Sequence, residues 1–525
     1  MLIEWGQTGG QTPCISLSMH QGLTSGLTLF LQMATNFIER YSLWLLITLQ
    51  ILIWGLIAPA FHTALPLDVA ELMTLSGEGV IANYKHPNLP GLLLDLFIFV
   101  TGSVDVVYLL SQLSIVGAYV AIYKLSSDFI GKQKALLATL LTSSIFYYHW
   151  PTPEFNHNVL QLPLWAAATL FAWRAVTSQK LGYWLALGVV AGAMVWTKYS
   201  AGILLFWIFI WLLVSSAGRQ SFKGFGPWLT GLIFIAIALP QVLYLIESEF
   251  LPIHYASGRA SIGGVSDSLS FLGAQLADHL FFLILLLVGG LLGRGALVSK
   301  AKHCPEKTLF LLLVVFAPVL MVALLPVLAG MGLKPMWGTP MFNYSGLVVL
   351  YFLGGRLNDV RSLRIILGSL LLLPLVGTLY AVQHIYRADM SDKPMRTLWP
   401  QAEIAGELRS AFQSETGLPL QIVASTDWLG GLIASAGGEQ LRVRIDADVI
   451  KSPWVTDNDI AESGVLVAWL AGQELPGSMN DFIDINGFKP SDAKRRSFIW
   501  HPSKADKPIQ IEYIVIPPNQ AKSPQ

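Results

Sequence analysis

The sequence predicts an α-helical polytopic membrane protein with a small soluble α+β domain at its C-terminal end. Of the 525 residues, 54% are hydrophobic and only 13% are charged, and the mean hydropathy is +0.56. A soluble globular chain carries about 25% charged residues, so most of this chain requires a lipid environment. The long apolar runs end near residue 385, and polar and apolar residues are mixed beyond that point.

The charge balance and the cysteines exclude several classes of protein. With 33 basic and 33 acidic residues the net charge is +0, which argues against nucleic-acid binding as the main function. Cys14 and Cys304 lie far apart and predict neither a disulfide framework nor a zinc site. The N-terminal stretch lacks the basic segment and cleavage site of a signal peptide, so we expect the first apolar run to remain as an anchor.

About eleven apolar stretches approach the roughly 20 residues that a helix needs to span a bilayer. Their approximate positions are 43–61, 104–123, 135–149, 158–177, 182–196, 200–217, 227–246, 279–297, 308–329, 342–355 and 365–383. Those at 135–149 and 342–355 are short for a span. Residues 88–101 are apolar but shorter and interrupted by proline, which favours an amphipathic helix along the membrane interface.

Basic residues indicate how the chain is oriented. Lysine and arginine collect in alternate loops, and the positive-inside rule places those loops in the cytoplasm. We therefore expect a cytoplasmic segment at 1–42, a transmembrane domain at 43–384 and an extracytoplasmic domain at 385–525. The extracytoplasmic side then receives the loops at 65–93, 150–158, 197–200, 247–275 and 330–341.

Alternating patterns in the C-terminal region predict four strands and one helix. The strands lie at 420–424, 441–445, 464–470 and 509–516, and the helical pattern covers 402–416. A region of this length can bury a core of its own, so we expect a separate small α+β domain.

The first extracytoplasmic loop carries two acids close together. Asp68 and Glu71 follow Pro66, which favours the start of a helix, and their spacing puts both carboxylates on one helical face. The same acids could instead serve only to cap a surface helix, because negative charge suits the positive end of the helix dipole. Further along the loop stands a cationic and aromatic cluster: Tyr84, Lys85 and His86. Acids followed by Lys and His are typical of a base beside an anion.

Further candidates come from the other loops on the same side. Glu154, Asn156 and His157 follow two prolines that favour a rigid turn, although any entrance to a span can be polar. A metal site formed by His157 and Glu154 lacks a third ligand. The remaining candidates are Lys198, Tyr199, Arg259 and Trp337. Lysine at a span end often extends to lipid headgroups, arginine in a loop is often solvated, and tryptophan is typical of the interfacial belt, so each has a structural alternative.

Together these loops predict a polar cavity at the membrane surface. A lipid-linked anionic substrate fits such a place, because its tail remains in the bilayer while lysine and arginine bind its phosphate. A carboxylate could act as general base on an acceptor hydroxyl, and the cations could stabilise the charge on a departing phosphate.

The order of these motifs resembles the polyprenyl-phosphate-sugar-dependent glycosyltransferases of the GT-C fold. The similar features are an acid in the first loop, a Tyr-x-His-Pro-type box, Thr-Lys-Tyr at 197–199 and a late Trp-x-x-Pro. The similarity is closest to the protein-mannosyltransferase-like and aminoarabinose-transferase-like enzymes, including the bacterial branch that modifies lipopolysaccharide. It covers residues of about 40–385 in order, and the soluble tail is similar to that branch less specifically.

The resemblance implies roles for individual residues. Asp68 matches the acid that acts as catalytic base or positions the acceptor, although many relatives have Asp-Glu there and this chain has Asp68 followed by Val69. Lys85 and His86 match a box that contacts the donor phosphate. Glu154 stands where relatives carry an aspartate after Thr-Pro. Lys198 matches a lysine of the family, and Arg259 loosely matches a phosphate-binding arginine.

The resemblance also implies an inverting transfer at the periplasmic face of the bacterial inner membrane. The donor would be a polyprenyl-phosphate-linked sugar, and the acceptor a lipid such as lipid A, another glycan or a protein. A divalent cation is left open. The alternative function is a transporter or flippase of polyprenyl-linked glycans, but such proteins commonly show repeated halves with charges at the midplane of the membrane, and this chain has its acids in end loops. A non-catalytic membrane scaffold is a third possibility that no motif favours.

Overall fold

The computed structural model describes residues 41–259, 262–292, 303–436 and 441–518. Most of the predicted cytoplasmic segment 1–42, Cys14 and part of the apolar stretch 279–297 lie outside the described residues.

Six helices in the described part of the chain are long and apolar enough to cross a membrane. They are Tyr41–Phe61, Val106–Ile130, His157–Ser178, Gly226–Glu247, Pro305–Ala329 and Asp359–Met390. The helices Val265–Asp278 and Leu280–Val288 are bent by 51° relative to each other and make a seventh span if they count as one. The predicted polytopic, helical fold class is therefore confirmed.

The predicted number of about eleven spans is not confirmed. Several of the apolar stretches form helices that are short of the roughly 20 residues that a bilayer requires. These are Lys132–Thr142, Leu181–Thr197, Ala201–Val214 and Ser345–Arg356. Hydropathy does not detect helix ends: the stretch predicted at 135–149, for example, leaves the helix at Ser143 and continues as the short 3-10 turn Phe146–Tyr148.

Shorter helices join the spans and carry most of the site. They are Leu67–Met73, Leu89–Thr101, Ser216–Ser221 and Leu251–Arg259, with 3-10 segments at Pro335–Phe342 and Arg396–Leu398. The helix Leu89–Thr101 forms where the sequence predicted a short apolar helix, and its Phe99 and Val100 are exposed; its place along the membrane interface stays a prediction.

The spans differ in how they are packed. Val106–Ile130 and His157–Ser178 lie in the centre of the bundle and bury most of their side chains, whereas Gly226–Glu247 leaves most of its apolar side chains exposed. Apolar side chains on the outside of a bundle are expected where lipid, rather than water, surrounds it.

The C-terminal region forms a five-stranded sheet in the order β2-β1-β3-β5-β4. The strands are Ile422–Ser425 (β1), Arg442–Ile445 (β2), Val465–Leu470 (β3), Lys494–Phe498 (β4) and Ile509–Ile516 (β5). β1 runs parallel to β2 and β3, and β5 runs antiparallel to β3 and β4. The accompanying helices are Gln401–Thr416, Asp427–Ala434, Asp457–Ser463 and Gly477–Ile485.

The small soluble domain predicted from the sequence is thus present, with one strand more than expected. β4 was missed because its first four residues, including three consecutive basic ones, are exposed, so no apolar alternation marks it. Charged side chains at a sheet edge are a common protection against unwanted strand pairing. The predicted boundary at residue 385 falls within the helix Asp359–Met390, and the three-part division remains a prediction.

The soluble domain packs directly on the first loop, at 65–93. Helix Asp427–Ala434 lies against helix Leu67–Met73, and a Cβ added at Gly431 would come within 1.8 Å of the carbonyl oxygen of Ala70. Only glycine permits two helix backbones to approach so closely. Arg442 adds an ion pair of 3.0 Å to Glu78 of the same loop.

Candidate active site

The short helix Leu67–Met73 presents both acids of the first loop, as the sequence predicted. Pro66 precedes its first residue with a backbone suited to the start of a helix. Asp68 lies in the first turn and Glu71 one turn later, and both carboxylates are partly buried. The acids therefore belong to one face of one helix, but they contact different partners.

Asp68 is joined to the loop at 150–156. Its backbone N–H donates to Oε1 of Glu154 at 2.8 Å, and the amide of Asn156 donates to its Oδ2 at 2.7 Å. The side-chain oxygen of Asn156 also caps the span His157–Ser178 by accepting from the backbone N–H of Asn158, which fixes the position of the amide group. Three polar residues from two loops thus form one cluster.

Burial and mutual repulsion disfavour the charged forms of these acids. Burial, followed by the negative charge of Asp68, raises the pKa of Glu154 to about 7. Burial also raises the pKa of Asp68 above its ordinary value, against the opposing influence of Asn156 and nearby cations. Burial and the neighbouring negative charge therefore favour a protonated Glu154 over part of the neutral pH range.

Glu71 faces Lys85, and Lys85 in turn faces the soluble domain. The Lys85 ammonium lies 3.1 Å from Oε2 of Glu71 and also forms an ion pair with Asp427. The hydroxyl of Tyr84 donates to both oxygens of Asp427 at 2.8 and 3.1 Å. Burial raises the pKa of Glu71 to about 7. Burial alone would lower the pKa of Lys85, but the carboxylates of Asp427 and Glu71 raise it above its ordinary value.

The two histidines of the site pack against each other. The rings of His86 and His157 are 4.6 Å apart, and Nε2 of His157 donates to the carbonyl of Pro87 at 3.0 Å. Burial, followed by His157, holds the pKa of His86 well below its ordinary value. The Lys85 and His86 backbone N–H groups both donate to the side chain of Asn83, so the cluster is held in a tight turn.

Lys198 and Tyr199 lie in the loop between the short helices Leu181–Thr197 and Ala201–Val214. Lys198 donates to the side-chain oxygen of Asn158 at 2.6 Å. Burial lowers the pKa of Lys198 to about 8, against the opposing carboxylate of Asp68. Tyr199 reaches the first loop only indirectly: its hydroxyl donates to Gln241, whose amide donates to the carbonyl of Ile81.

A cavity of about 940 Å³ opens between the first loop, the helix Leu251–Arg259 and the soluble domain. Glu71, Tyr84 and Lys85 line one wall, and Arg259 lies on the second. Arg259 donates to the hydroxyl of Tyr255 at 2.7 Å. Asp68 and Glu154 are not among the lining residues, so the predicted acids divide into Glu71 on the wall and the pair Asp68 and Glu154 next to it.

The third wall consists of residues that sequence reasoning missed. They are Arg396, Trp399, Asp427, Trp428 and Lys451. Arg396 lies over the ring of Trp428 at 5.2 Å, and Trp428 packs edge-on against Trp399. The available signal was weak: Thr426, Asp427 and Trp428 form a helix-start pattern. Nothing in the sequence indicated that a residue 342 positions after Lys85 would contact it.

Trp337 comes from a different element than the other candidates. It belongs to the 3-10 segment Pro335–Phe342, where the carbonyl of Pro335 accepts from the amide of Gln275 at 2.8 Å. It is not among the residues that line the cavity. Among the described residues no group of three or more His, Cys, Asp or Glu side chains is arranged to bind a metal ion.

A bundle of long and short apolar helices, an acidic first loop and a C-terminal sheet domain define a polytopic membrane protein of the GT-C fold. Two solved structures share it over almost the whole chain. They are both of ArnT from Cupriavidus metallidurans, one bound to undecaprenyl phosphate and one in the apo state. The first has a TM-score of 0.58 and 11% identity and covers 92% of this chain and 99% of that chain. The second has a TM-score of 0.56 and 10% identity, with coverage of 96% and 100%.

The sequence comparison points the same way. Residues 85–244 match the family model described as dolichyl-phosphate-mannose-protein mannosyltransferase. The resemblance to GT-C glycosyltransferases predicted from the sequence is therefore confirmed, by the fold over the whole chain and by the family match over this segment. No curated protein matches the chain in sequence.

Proposed function

We propose that the protein is an inverting glycosyltransferase that moves a sugar from a polyprenyl-phosphate-linked donor to an acceptor. The observation that carries the proposal is the cavity, where buried carboxyl groups and several cations meet in loops at the ends of apolar spans. A lipid-linked substrate can keep its tail in the bilayer and present its phosphate to such a cavity. Undecaprenyl phosphate in the structurally similar ArnT supports this class of donor.

The cluster of Asp68, Glu154 and Asn156 supplies the general base. Asn156 engages Oδ2 of Asp68, which leaves Oδ1 as the oxygen that takes a proton from the acceptor. The acceptor oxygen forms a bond to the anomeric carbon while the bond from that carbon to the phosphate oxygen breaks. The electron pair leaves with the polyprenyl phosphate on the opposite face, which inverts the anomeric centre. Burial raises the pKa of Asp68 above its ordinary value, which makes its carboxylate a stronger base for this proton transfer.

The cations of the cavity stabilise the leaving group. A phosphodiester that loses its sugar becomes a monoester with an additional negative charge, and fixed cations in a partly buried site stabilise this charge as it develops. Arg259 and Arg396 line the cavity and present guanidinium groups, which bind phosphate oxygens in pairs. Lys85 lies between them and the acids of the first loop.

On this proposal the chain lies in the bacterial inner membrane, and its cavity and soluble domain lie in the periplasm. The acceptor is lipid A or another lipopolysaccharide component, a different glycan or lipid, or a protein.

The test is sugar transfer by the purified protein in lipid vesicles, with radiolabelled sugars on undecaprenyl phosphate. Asp68→Asn keeps the hydrogen bond to Asn156 but removes the base, and we expect activity to fall by roughly 100-fold or more. Asp105→Asn is the control, because this carboxylate is exposed and does not line the cavity. Full activity in Asp68→Asn would contradict its role as base. Movement of the intact donor across the vesicle without transfer would favour a flippase.

A further inference from the structure

The C-terminal domain supplies a carboxylate, Asp427, that forms an ion pair with a cation of the membrane domain, Lys85. Lys85 lies in the first loop, and Asp427 begins the helix Asp427–Ala434 of the soluble domain. Their ion pair joins the two parts of the chain, and both residues line the cavity. Both side chains are largely buried, with exposed fractions of 10% for Lys85 and 20% for Asp427, so solvent screens the pair only in part.

Asp427 is held in place by more than this one ion pair. The hydroxyl of Tyr84 donates to both of its carboxylate oxygens. The helix that it begins is fixed against helix Leu67–Met73 by the close contact of Gly431 with Ala70. Asp427 therefore belongs to the wall of the cavity and does not extend from a loose surface loop.

Lys85 is the cation of the cavity with the most carboxylate partners. It contacts both Glu71 and Asp427, and burial raises the pKa of Glu71 to about 7, so Glu71 carries only part of a charge near neutral pH. Arg396 instead stacks on Trp428, and Arg259 donates to Tyr255. A phosphate that binds Lys85 must therefore compete with Asp427, whereas the two arginines present their charge directly.

We propose that Asp427 of the soluble domain is a built-in competitor that sets the affinity of the cavity for the phosphate of its lipid substrate. The proposal rests on the proposed function, because it assumes that a polyprenyl phosphate occupies the cavity. The released monoester carries more negative charge than the donor, and it would bind tightly to a site of unpaired cations. When the Asp427 carboxylate re-forms its ion pair with Lys85, the polyprenyl phosphate product loses that cation. Release of the product is therefore favoured.

The experiment measures binding of undecaprenyl phosphate to the full-length protein in detergent or nanodiscs, so no turnover is needed. Asp427→Asn keeps an acceptor for Tyr84 but removes the competing charge. We expect it to tighten binding on the order of tenfold relative to the unsubstituted protein. A residue that merely held the domain in place would give the opposite result, because its loss could only loosen the cavity.

Matched variants separate charge competition from a general effect. Asp392→Asn removes a carboxylate that pairs with Lys504 and Lys507 on the exposed surface, and it should leave binding unchanged. Asp427→Glu retains the charge and should bind like the unsubstituted protein. In a Lys85→Ala background, Asp427→Asn should give no gain, because the cation for which the two anions compete is gone.

The outcomes distinguish this proposal from the proposed function. Equal or weaker binding by Asp427→Asn, at a melting temperature equal to that of Asp392→Asn, overturns the competitor but leaves the donor class intact. If Asp427→Asn lowers the melting temperature, the affinity of Asp427→Glu for undecaprenyl phosphate is the deciding measurement. Tenfold tighter binding by Asp427→Glu, which keeps the charge, would overturn the role of charge. Absence of binding by the unsubstituted protein and by every variant contradicts the proposed donor and the competitor together.

Discussion

The backbone N–H of Asp68 donates to Oε1 of Glu154 at 2.8 Å, although the two residues lie 86 positions apart in separate loops. This contact links the first helix after the first span to the entrance of a central span. It also places two carboxyl groups in one partly buried cluster, where their charges interact through a medium less polar than water. The protonation of one acid therefore depends on the other, and this has consequences for rate and for stability.

The rate of transfer should rise with pH as the base loses its proton. The base acts in its deprotonated form, and burial raises the pKa of Asp68 above its ordinary value, so the rise should come at a higher pH than for an exposed aspartate. In Glu154→Gln the neighbouring negative charge is absent, so Asp68 ionises more readily and the acid limb should move down by roughly one pH unit. The measurement is kcat against pH for both proteins and for Glu71→Gln. An acid limb that moves only in Glu71→Gln would assign the base to Glu71.

Glu154 should destabilise the folded protein at alkaline pH. Its pKa is about 7 when folded, against an ordinary value of 4.5, so the folded state binds more protons between these values. The free energy of unfolding therefore falls as pH rises from about 4.5 to about 7, and the loss is complete above that. Glu154→Gln removes the titration and should stabilise by about 2–3 kcal/mol at pH 8 but not at pH 4.

Apparent melting temperatures at the two pH values check this prediction. Glu403→Gln changes an exposed glutamate of the soluble domain and serves as control, with no pH-dependent gain expected. An equal effect of Glu154→Gln at both pH values would show that lost hydrogen bonding, and not titration, determines the stability change.

An alkaline limit to the rate should come from Lys198. Burial lowers its pKa to about 8, so it loses its charge above that pH while Asp68 remains ionised nearby. If this charge helps to bind or stabilise anions in the site, the rate falls above about 8 and the complete profile is bell-shaped. Lys198→Arg retains the charge at all accessible pH values and should move the alkaline limb upward. An unchanged alkaline limb in that variant would exclude Lys198 as its source.

Much of this site could be predicted from the sequence, because its residues lie in loops at the ends of apolar runs. Asp68, Glu71, Lys85 and Glu154 were predicted from acids and cations at the ends of apolar runs, and the structure brings them together. Ionisable groups near a membrane are costly, so their positions are informative. The helix start at Pro66 and four of the five strands also followed from local patterns.

The remainder depended on contacts that no local pattern records. Asp427 and Arg396 enter the cavity only because the soluble domain packs on the first loop, and their separation in sequence from Lys85 hides this. Trp337 is not among the residues that line the cavity, and its role in the site stays a prediction, because a tryptophan at a span end looks alike in a site and in an interfacial belt. The predicted count of about eleven spans is not confirmed, since hydropathy measures composition and not where a helix ends.

The packing of the soluble domain on the first loop should depend on one glycine. A Cβ at Gly431 would meet the carbonyl oxygen of Ala70 at 1.8 Å, and a backbone atom cannot move aside as a side chain can. Gly431→Ala should therefore push helix Asp427–Ala434 away from helix Leu67–Met73, at a cost of about 1–3 kcal/mol. It would separate Asp427 from Lys85 and lower both the melting temperature and the rate of transfer.

Gly406→Ala provides the matched comparison for this effect. Gly406 lies on an exposed face of the helix Gln401–Thr416 in the same domain, and a Cβ there would meet no atom within 4 Å. Alanine favours helix over glycine, so this variant should gain about 0.5–1 kcal/mol and keep full activity. If both variants behaved alike in melting temperature and transfer, the close contact at Ala70 would not hold the domain in place. Position 431 touches neither a predicted base nor a cation. If only Gly431→Ala lost activity, the loss would therefore come from displacement of the soluble domain, and that domain would be required for the function of the cavity.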